Sequence, residues 1–428
     1  MQPDGTRTCK NDLLKVCQSN PAVWDQWIKD VEECISKNPH RQVFCAEPTN
    51  PYGSGICCCD KCKAWDSPEG EKRIFYYDNN VRVTGVADSD RQVTFTNMLA
   101  RKLKERFPDK DYKVMMRAFG FHRSAPIRAV PDDNVIVSNI ANFFADQEST
   151  DINSAVGTKC IDQFEGWLKI TKNQVWRPNA GNSVKWQTGG PSDITGTGEL
   201  FKKIGNSGIL GIDISMVNLY WATQGPEYYL MAQLVWNPEK GIDEIMDDYY
   251  KSGFGSAAEE IKAYWKMLEN NKREIQKNDK KKGGKSWAEA FSPDFFKEAY
   301  SLLDKSAEKV SKSGQEYSDR VAFVRAGLDY LRLNTENQAL VKEILESKGD
   351  RPDLVEKMRA NWKQIEEIVL KHPEALRKND VMKSRASGNL KYIHPDTDHR
   401  KIEEQRLRKA ASAGKKKKNI QAMEEEGE

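Results

Sequence analysis

Between Gln42 and Ile212 the chain alternates short β-type runs with helical stretches, and this alternation narrows the available folds more than any other feature. The runs are Gln42–Ala46, Tyr112–Met116, Val135–Ser138, Gln174–Trp176 and Gly208–Ile212, each short, apolar and rich in β-formers. Helical spacing fills much of the remainder: Val23–Ile35 before the first run, and Phe95–Phe107 before the second, ending at Pro108. Cys160, Phe164, Trp167 and Leu168 share a helical face before the fourth run, and Leu200–Ile204 precedes the fifth. Such alternation implies an α/β fold with a parallel sheet, either doubly wound or closed as a (β/α) barrel. No dinucleotide or P-loop glycine fingerprint accompanies the runs, which disfavours a nucleotide-binding sheet.

The residues just past the runs are polar: Glu47, Arg117, Asn139, Arg177 with Asn179, and Asp213. In a (β/α) barrel these positions form the C-terminal rim, where active sites are built. Singly, each reads equally well as a loop residue or a local ion pair. The second half is helical. Ile261, Tyr264, Trp265 and Leu268 share one face, as do Val321, Val324, Leu328 and Leu331, and Met358, Trp362, Ile365 and Val369. These tryptophans, Trp265 and Trp362, are expected in the core. Lys277–Ser286, with its Lys-Lys-Lys-Gly-Gly run, reads as a flexible connector. The expected organisation is a barrel region at 1–240, a helical domain at 241–380 and a disordered charged tail at 381–428.

The net charge of +3 is unevenly placed. The tail from Val381 holds 12 Lys/Arg against 8 Asp/Glu, leaving the rest of the chain close to neutral. The basic excess is therefore no argument for a nucleic-acid partner. No apolar run approaches the length of a membrane span, and the first residues carry no apolar core of a signal peptide.

Four of the nine cysteines fall within Cys57-Cys58-Cys59-Asp60-Lys61-Cys62. Thiolates at Cys57, Cys59 and Cys62 can converge on one soft metal ion. Cys9, Cys17, Cys34 and Cys45 are upstream candidates for a fourth ligand. Cys17 is preferred, because Cys45 falls in a β-type run and Cys34 in a helical one. A structural zinc with no organic cofactor is the expectation. Disulfides to distant thiols are the competing use, and a redox C-x-x-C fits the surrounding pattern least.

Several motifs in fixed order carry a resemblance. They are Cys57-x-Cys59-x-x-Cys62-x-x-Trp65-Asp66, Arg177-Pro178-Asn179, Gly211-Ile212-Asp213, and Trp221-Ala222-Thr223-Gln224-Gly225-Pro226. The last continues into Leu234-Val235-Trp236-Asn237-Pro238 and Gly253-Phe254-Gly255-Ser256. Over Pro3–Glu269 the chain resembles the uncharacterised bacterial family catalogued as domain of unknown function 4838. Members occur among carbohydrate-degrading proteins and resemble the catalytic barrels of α-glucuronidases and β-N-acetylhexosaminidases. The resemblance implies a partial TIM-type barrel, with about three strands preceding the segment Pro3–Arg7. It also implies an exported bacterial protein with a carbohydrate substrate, with the missing N-terminal part of the barrel as an expected partner.

Glycoside hydrolysis needs two carboxyl groups facing the bond. Glu47 is the candidate acid or base, and Asp213 the base or a hydroxyl-binding carboxylate. Arg117, His122, Asn139, Arg177 and Asn179 are candidate substrate contacts. Arg177 offers a fork to a uronic acid. Tyr220 and Trp221 are candidate platforms for a sugar ring, whereas Trp176, within a strand run, is expected to be buried. The rival expectation is a non-catalytic carbohydrate-binding or scaffold protein on a barrel whose chemistry has decayed.

Overall fold

The computed structural model describes residues 1–7, 16–47, 55–77, 81–141, 152–178, 192–214, 220–279, 284–347 and 351–376. The expected tail at 381–428, the Lys280–Gly283 centre of the connector, Cys9 and Asn179 lie outside the described residues. The chain divides into two compact units. The first comprises Met1–Ser183, Thr195–Val217 and Met231–Lys240, and the second Val184–Ile194, Asn218–Leu230 and everything from Gly241 onward.

The first unit is α/β. Strands β1 (Val43–Cys45), β4 (Lys113–Ala118), β5 (Val135–Asn139), β6 (Gln174–Trp176) and β7 (Gly211–Ile212) form one sheet in the order β1-β4-β5-β6-β7. All four pairings are parallel. Each strand of this sheet adds beside its predecessor, without the reversal of order that marks a doubly wound sheet. The helices α1 (Pro21–Lys37), α3 (Ser89–Arg106), α4 (Ala155–Leu168) and α5 (Ile194–Gly205) fall between or before these strands. The short α2 (Asp60–Lys63) lies in the cysteine segment.

Period-2 alternation assigns the two faces of the sheet. Val114, Met116, Ala118, Val135 and Val137 are buried against Val93, Phe95, Leu99 and Leu103 of α3 and Trp167 of α4. The opposite face carries Cys45, Met115, Arg117, Ile136 and Val175, which are half-buried. Backbone bonds from Ala46 to Met115, from Arg177 to Asn139 and from Asp213 to Trp176 carry the ladder past the strand ends. Continuing the alternation puts Glu47, Arg117, Arg177 and Asp213 on the half-buried face, and Asn139 on the helix-covered one.

The fifth run is shorter than the sequence suggests. Gly208 takes a positive φ of 80°, which turns the chain and leaves two residues, Gly211 and Ile212, in the ladder. The sequence reading also misses a hairpin, β2 (Lys72–Tyr76) with β3 (Arg82–Val86). Its alternation is masked because one face is open: Ile74 and Tyr76 are exposed while Phe75 is buried. Phe75 packs on Phe121 with ring centroids 4.7 Å apart.

The second unit is helical, with the start of α6 (Trp221–Trp236), then α7 (Ile242–Phe254), α8 (Ala258–Asp279), α9 (Trp287–Ala290), α10 (Pro293–Val310), α11 (Gln315–Glu346) and α12 (Pro352–Lys371). All three apolar faces read from the sequence are buried. Tyr220, Tyr330, Leu333, Met358, Trp362 and Ile365 belong to one core cluster. The start of α6 presses on α11 at Gly327, where an added Cβ would sit 2.3 Å from the Ala222 carbonyl oxygen. That oxygen is backbone and has no rotamer by which to retreat. Gly327→Ala should therefore destabilise this unit by about 1–3 kcal/mol. A drop in the urea midpoint of its unfolding transition measures the effect, and an unchanged midpoint would show that the contact yields.

Candidate functional site

Glu47 lies two residues beyond β1, and only 4% of its side chain is exposed. Its Oε1 accepts the Arg117 backbone N–H at 2.7 Å and sits 3.2 Å from His122 Nε2. His122 is held in a 3-10 turn, Gly120–His122, immediately after β4. Its other nitrogen, Nδ1, is 3.3 Å from Asp88 Oδ1. Asp88 precedes the first turn of α3. A doubly protonated imidazole can donate to both carboxylates at once. Burial opposes charge on the ring, but the Asp88 charge and hydrogen bond, followed by those of Glu47, prevail and push the imidazole up to about 9. Burial likewise works against the Asp88 carboxylate, yet the His122 charge and hydrogen bond, with help from Arg91, hold it below the ordinary aspartate value. Asp88, His122 and Glu47 thus form a buried relay with a charged ring at its centre.

The second carboxylate oxygen is different. Glu47 Oε2 is buried and has no hydrogen-bond partner, and Arg117 Nη1 stands 3.9 Å from it. Arg117 Nε is also buried without a partner. The Arg117 side chain is 38% exposed, against 4% for Glu47. A hydroxyl lodged here could accept from the guanidinium and donate to Oε2.

The other residues singled out from the sequence are placed as follows. Asn139 is fully buried; its amide donates to Gln174 Oε1 and accepts from Gln163 Nε2, each at 3.1 Å. Its position on the helix-covered face of the sheet accounts for this. Arg177 Nε is 3.3 Å from Asp213 Oδ2, and the Asp213 side chain is 63% exposed. Glu47 and Asp213 therefore extend from the two terminal strands of the described sheet. Tyr220 and Trp221 belong to the second unit. Tyr220 is fully buried with its ring centroid 5.9 Å from that of Tyr330, a core position, whereas Trp221 is 41% exposed and rests edge-on against Tyr228. Trp176 is fully buried.

A second group assembles beside the relay. The sulfurs of Cys17, Cys57, Cys59 and Cys62 all lie within 4.8 Å of one another. Cys17 Sγ is 3.6 Å from Cys59 Sγ and 3.8 Å from Cys62 Sγ. No disulfide links the described cysteines. Cys59 caps α2, accepting the Cys62 backbone N–H on its sulfur at 3.4 Å, which turns both thiols of the C-x-x-C to one side. Cys58 points away and donates to the Tyr77 hydroxyl. Cys45 and Cys34 stay in β1 and α1, apart from the group. Ser19 supplies a hydroxyl 3.2 Å from Cys62 Sγ and 3.6 Å from those of Cys17 and Cys59. The hydrogen bond from Cys62 pulls the Cys57 thiol down to about 4, and the same contact pushes Cys62 up.

The first turn of α3 joins the two groups. Arg91, 1% exposed, forks onto Asp66 with bonds of 2.8 and 2.5 Å and donates at 2.8 Å to the Cys57 carbonyl. Gln18, next to Cys17, donates to Gln92 at 2.6 Å. Asp90 accepts the backbone N–H groups of Ile127, Arg128 and Ala129, fixing the chain between His122 and β5. The sequence reading passes over Asp88 and Arg91, because Asp88-Ser89-Asp90-Arg91 at the head of a helix reads as a solvated cap, and it quotes Asp66 in the cysteine motif without giving it a role. Ser19 had a signal, its place two residues from Cys17, but a lone serine is uninformative.

The family model described as Domain of unknown function (DUF4838) matches residues 1–266, and the chain belongs to that family. No curated protein and no solved structure matches the chain. No helix among the described residues is long and apolar enough to cross a membrane.

The charged ring makes stability depend on pH in a definite sense. His122 titrates in the folded state above its ordinary 6.5, so its contribution is complete below that value and lost as pH rises through about 9. Asp88 titrates below its ordinary 3.8, so its contribution is present above that value and lost as pH falls through the lowered one. The urea-measured difference between the parent and His122→Gln should shrink by on the order of 3 kcal/mol from neutral to strongly alkaline pH. A difference independent of pH would mean that the ring is neutral.

Proposed function

We propose that the first unit is a run of consecutive (β/α) elements of a glycoside-hydrolase-like barrel, acting on hydroxyl-rich glycans with Glu47 as acid/base. One observation carries the reading: Glu47 is held through Oε1 by the Arg117 amide and His122, while buried Oε2 is left without a partner beside the Arg117 guanidinium. Structural carboxylates usually satisfy both oxygens when buried. The sequential strand order and the half-buried face that bears Glu47, Arg117, Arg177 and Asp213 support the barrel. Strands four steps apart would be about 19 Å apart along a flat sheet. In a closed barrel of about eight strands they face each other across the mouth, which would bring Asp213 opposite Glu47.

In this reading Arg117 orients a substrate hydroxyl against Oε2, His122 and Asp88 hold the Glu47 carboxyl in place, and Oε2 exchanges a proton with the reacting oxygen. Asp213, steered by Arg177, is the second carboxylate. The exposure of Asp213 and its ion pair with Arg177 favour a rival, a carbohydrate-binding protein without turnover. Screening neutral and uronic-acid-containing oligosaccharides for both binding and cleavage separates the two. Glu47→Gln should lower turnover by about 10²–10⁴-fold while near-UV circular dichroism stays unchanged. Full activity in both Glu47→Gln and Asp213→Asn would sink the catalytic assignment, and binding without cleavage by the parent would establish the rival.

We also propose that Cys17, Cys57, Cys59 and Cys62 hold a structural zinc ion. A tetrahedron with Zn–S bonds of about 2.3 Å has edges of about 3.8 Å, and the Cys17 sulfur lies 3.6 and 3.8 Å from two of the others. Four protein sulfurs leave no open position for substrate, so the role is architectural. Protein purified under reducing conditions should contain one zinc per chain by elemental analysis, and Cys62→Ser should lose it. Ser19→Ala, which removes a hydroxyl shared among three sulfurs, should weaken zinc affinity by about 10–100-fold. A folded, reduced and metal-free parent would refute the site.

A further inference from the structure

The cysteine centre and the buried relay meet in five consecutive residues, Asp88 to Gln92 at the head of α3, and nothing in the relay's own chemistry requires that. Arg91 spans both groups. Its guanidinium is held on the cysteine side by Asp66 and the Cys57 carbonyl, and its charge acts on Asp88. Gln92 receives the bond from Gln18, adjacent to Cys17, and its own backbone N–H binds the Asp88 carbonyl. Asp66 adds a third tie, since its carbonyl accepts from Arg128 in the segment anchored by Asp90.

Resting on the zinc reading above, we infer that the cysteine centre is a positioning element for the relay: metal capture fixes the Cys57 and Cys17 loops, and Arg91 and Gln92 transmit that placement to Asp88, and through His122 to Glu47. The physical basis is the length of the hydrogen bonds involved. His122 touches its two carboxylates at 3.3 and 3.2 Å, near the upper end for an N–H···O bond, so a small displacement of Asp88 breaks the contact. Arg91 cannot absorb the displacement, because three of its bonds are made inside a site only 1% exposed. Arg91 is therefore a positioning residue, with no access to a ligand at Oε2.

The groups facing His122 are Asp88 from the head of α3 and Glu47 from the end of β1. Arg117 of β4 acts on Glu47, and Arg91 acts on Asp88. The imidazole titration of His122 thus reports the placement of Asp88 directly, and a merely architectural clip would leave it unmoved. The experiment is nuclear magnetic resonance of the full chain with labelled histidines. His122→Gln assigns the signal among the five histidines, and metal content is measured on the same samples. In zinc-loaded protein the midpoint should lie near 9 and, on removal of zinc by a chelator, fall toward 6.5. Arg91→Lys keeps the charge and all four cysteines but loses the fork. It should retain one zinc per chain and still show the midpoint lowered. This variant decides the matter if the stripped protein unfolds. Retained zinc with an unmoved His122 midpoint in Arg91→Lys would overturn the inference. Failure to bind zinc at all would overturn it too, but by removing the metal reading on which it stands, and the two failures are told apart by the metal content.

Discussion

A guanidinium sealed inside the protein organises the first unit. Taking Arg91 out of water is costly unless its donors are all met, and removal of one partner from a buried pair is more damaging than never having the pair. Here the Asp66 fork and the Cys57 carbonyl meet it. Because a fork has one geometry, this pairing fixes the angle between the cysteine segment and α3. The cysteine loop, the helix head and the 3-10 turn of His122 follow from that angle. The hairpin joins the same assembly by packing Phe75 on Phe121, next to His122. The family match spans this unit and continues into the second as far as residue 266.

The parts legible in the sequence are those set by local pattern. Four of the five β-type runs lie within a residue or two of the observed strands, because central strands of a parallel sheet are continuous apolar runs. The apolar faces around Trp265, Leu328 and Trp362 were readable for the matching reason at period 3.6. Cys17 could be chosen as fourth ligand by eliminating cysteines in regular elements, and its sulfur does join the other three. The hairpin was invisible, since one of its faces is open and its pattern mixes Lys72, Arg73 and Arg82 with Ile74 and Tyr76.

The candidate site was half legible. Glu47, Arg117 and His122 could be found by counting past strand ends, and the structure brings them together. Asn139 obeys the same count, yet the pleat sends it to the other face, where Gln163 and Gln174 consume its amide. Counting gives the layer of a residue but not its face unless the register is also known. Asp88 and Arg91 escaped because charged residues at a helix head are ordinarily solvated, and only tertiary burial distinguishes these two. Tyr220 illustrates the reverse: an aromatic in a connecting segment whose ring fills the core beside Tyr330.

The unequal treatment of the two Glu47 oxygens has a directional consequence. A free carboxylate is symmetric and can take a proton on either oxygen from either side. This one is handed: Oε1 is saturated by an amide and an imidazole, and Oε2 alone faces Arg117. Any molecule trading a proton with Glu47 must come from the side of the guanidinium, with one of its own faces turned toward Oε2. In the proposed role, the asymmetry of a single side chain would be imposed on the ligand as a choice between its two faces.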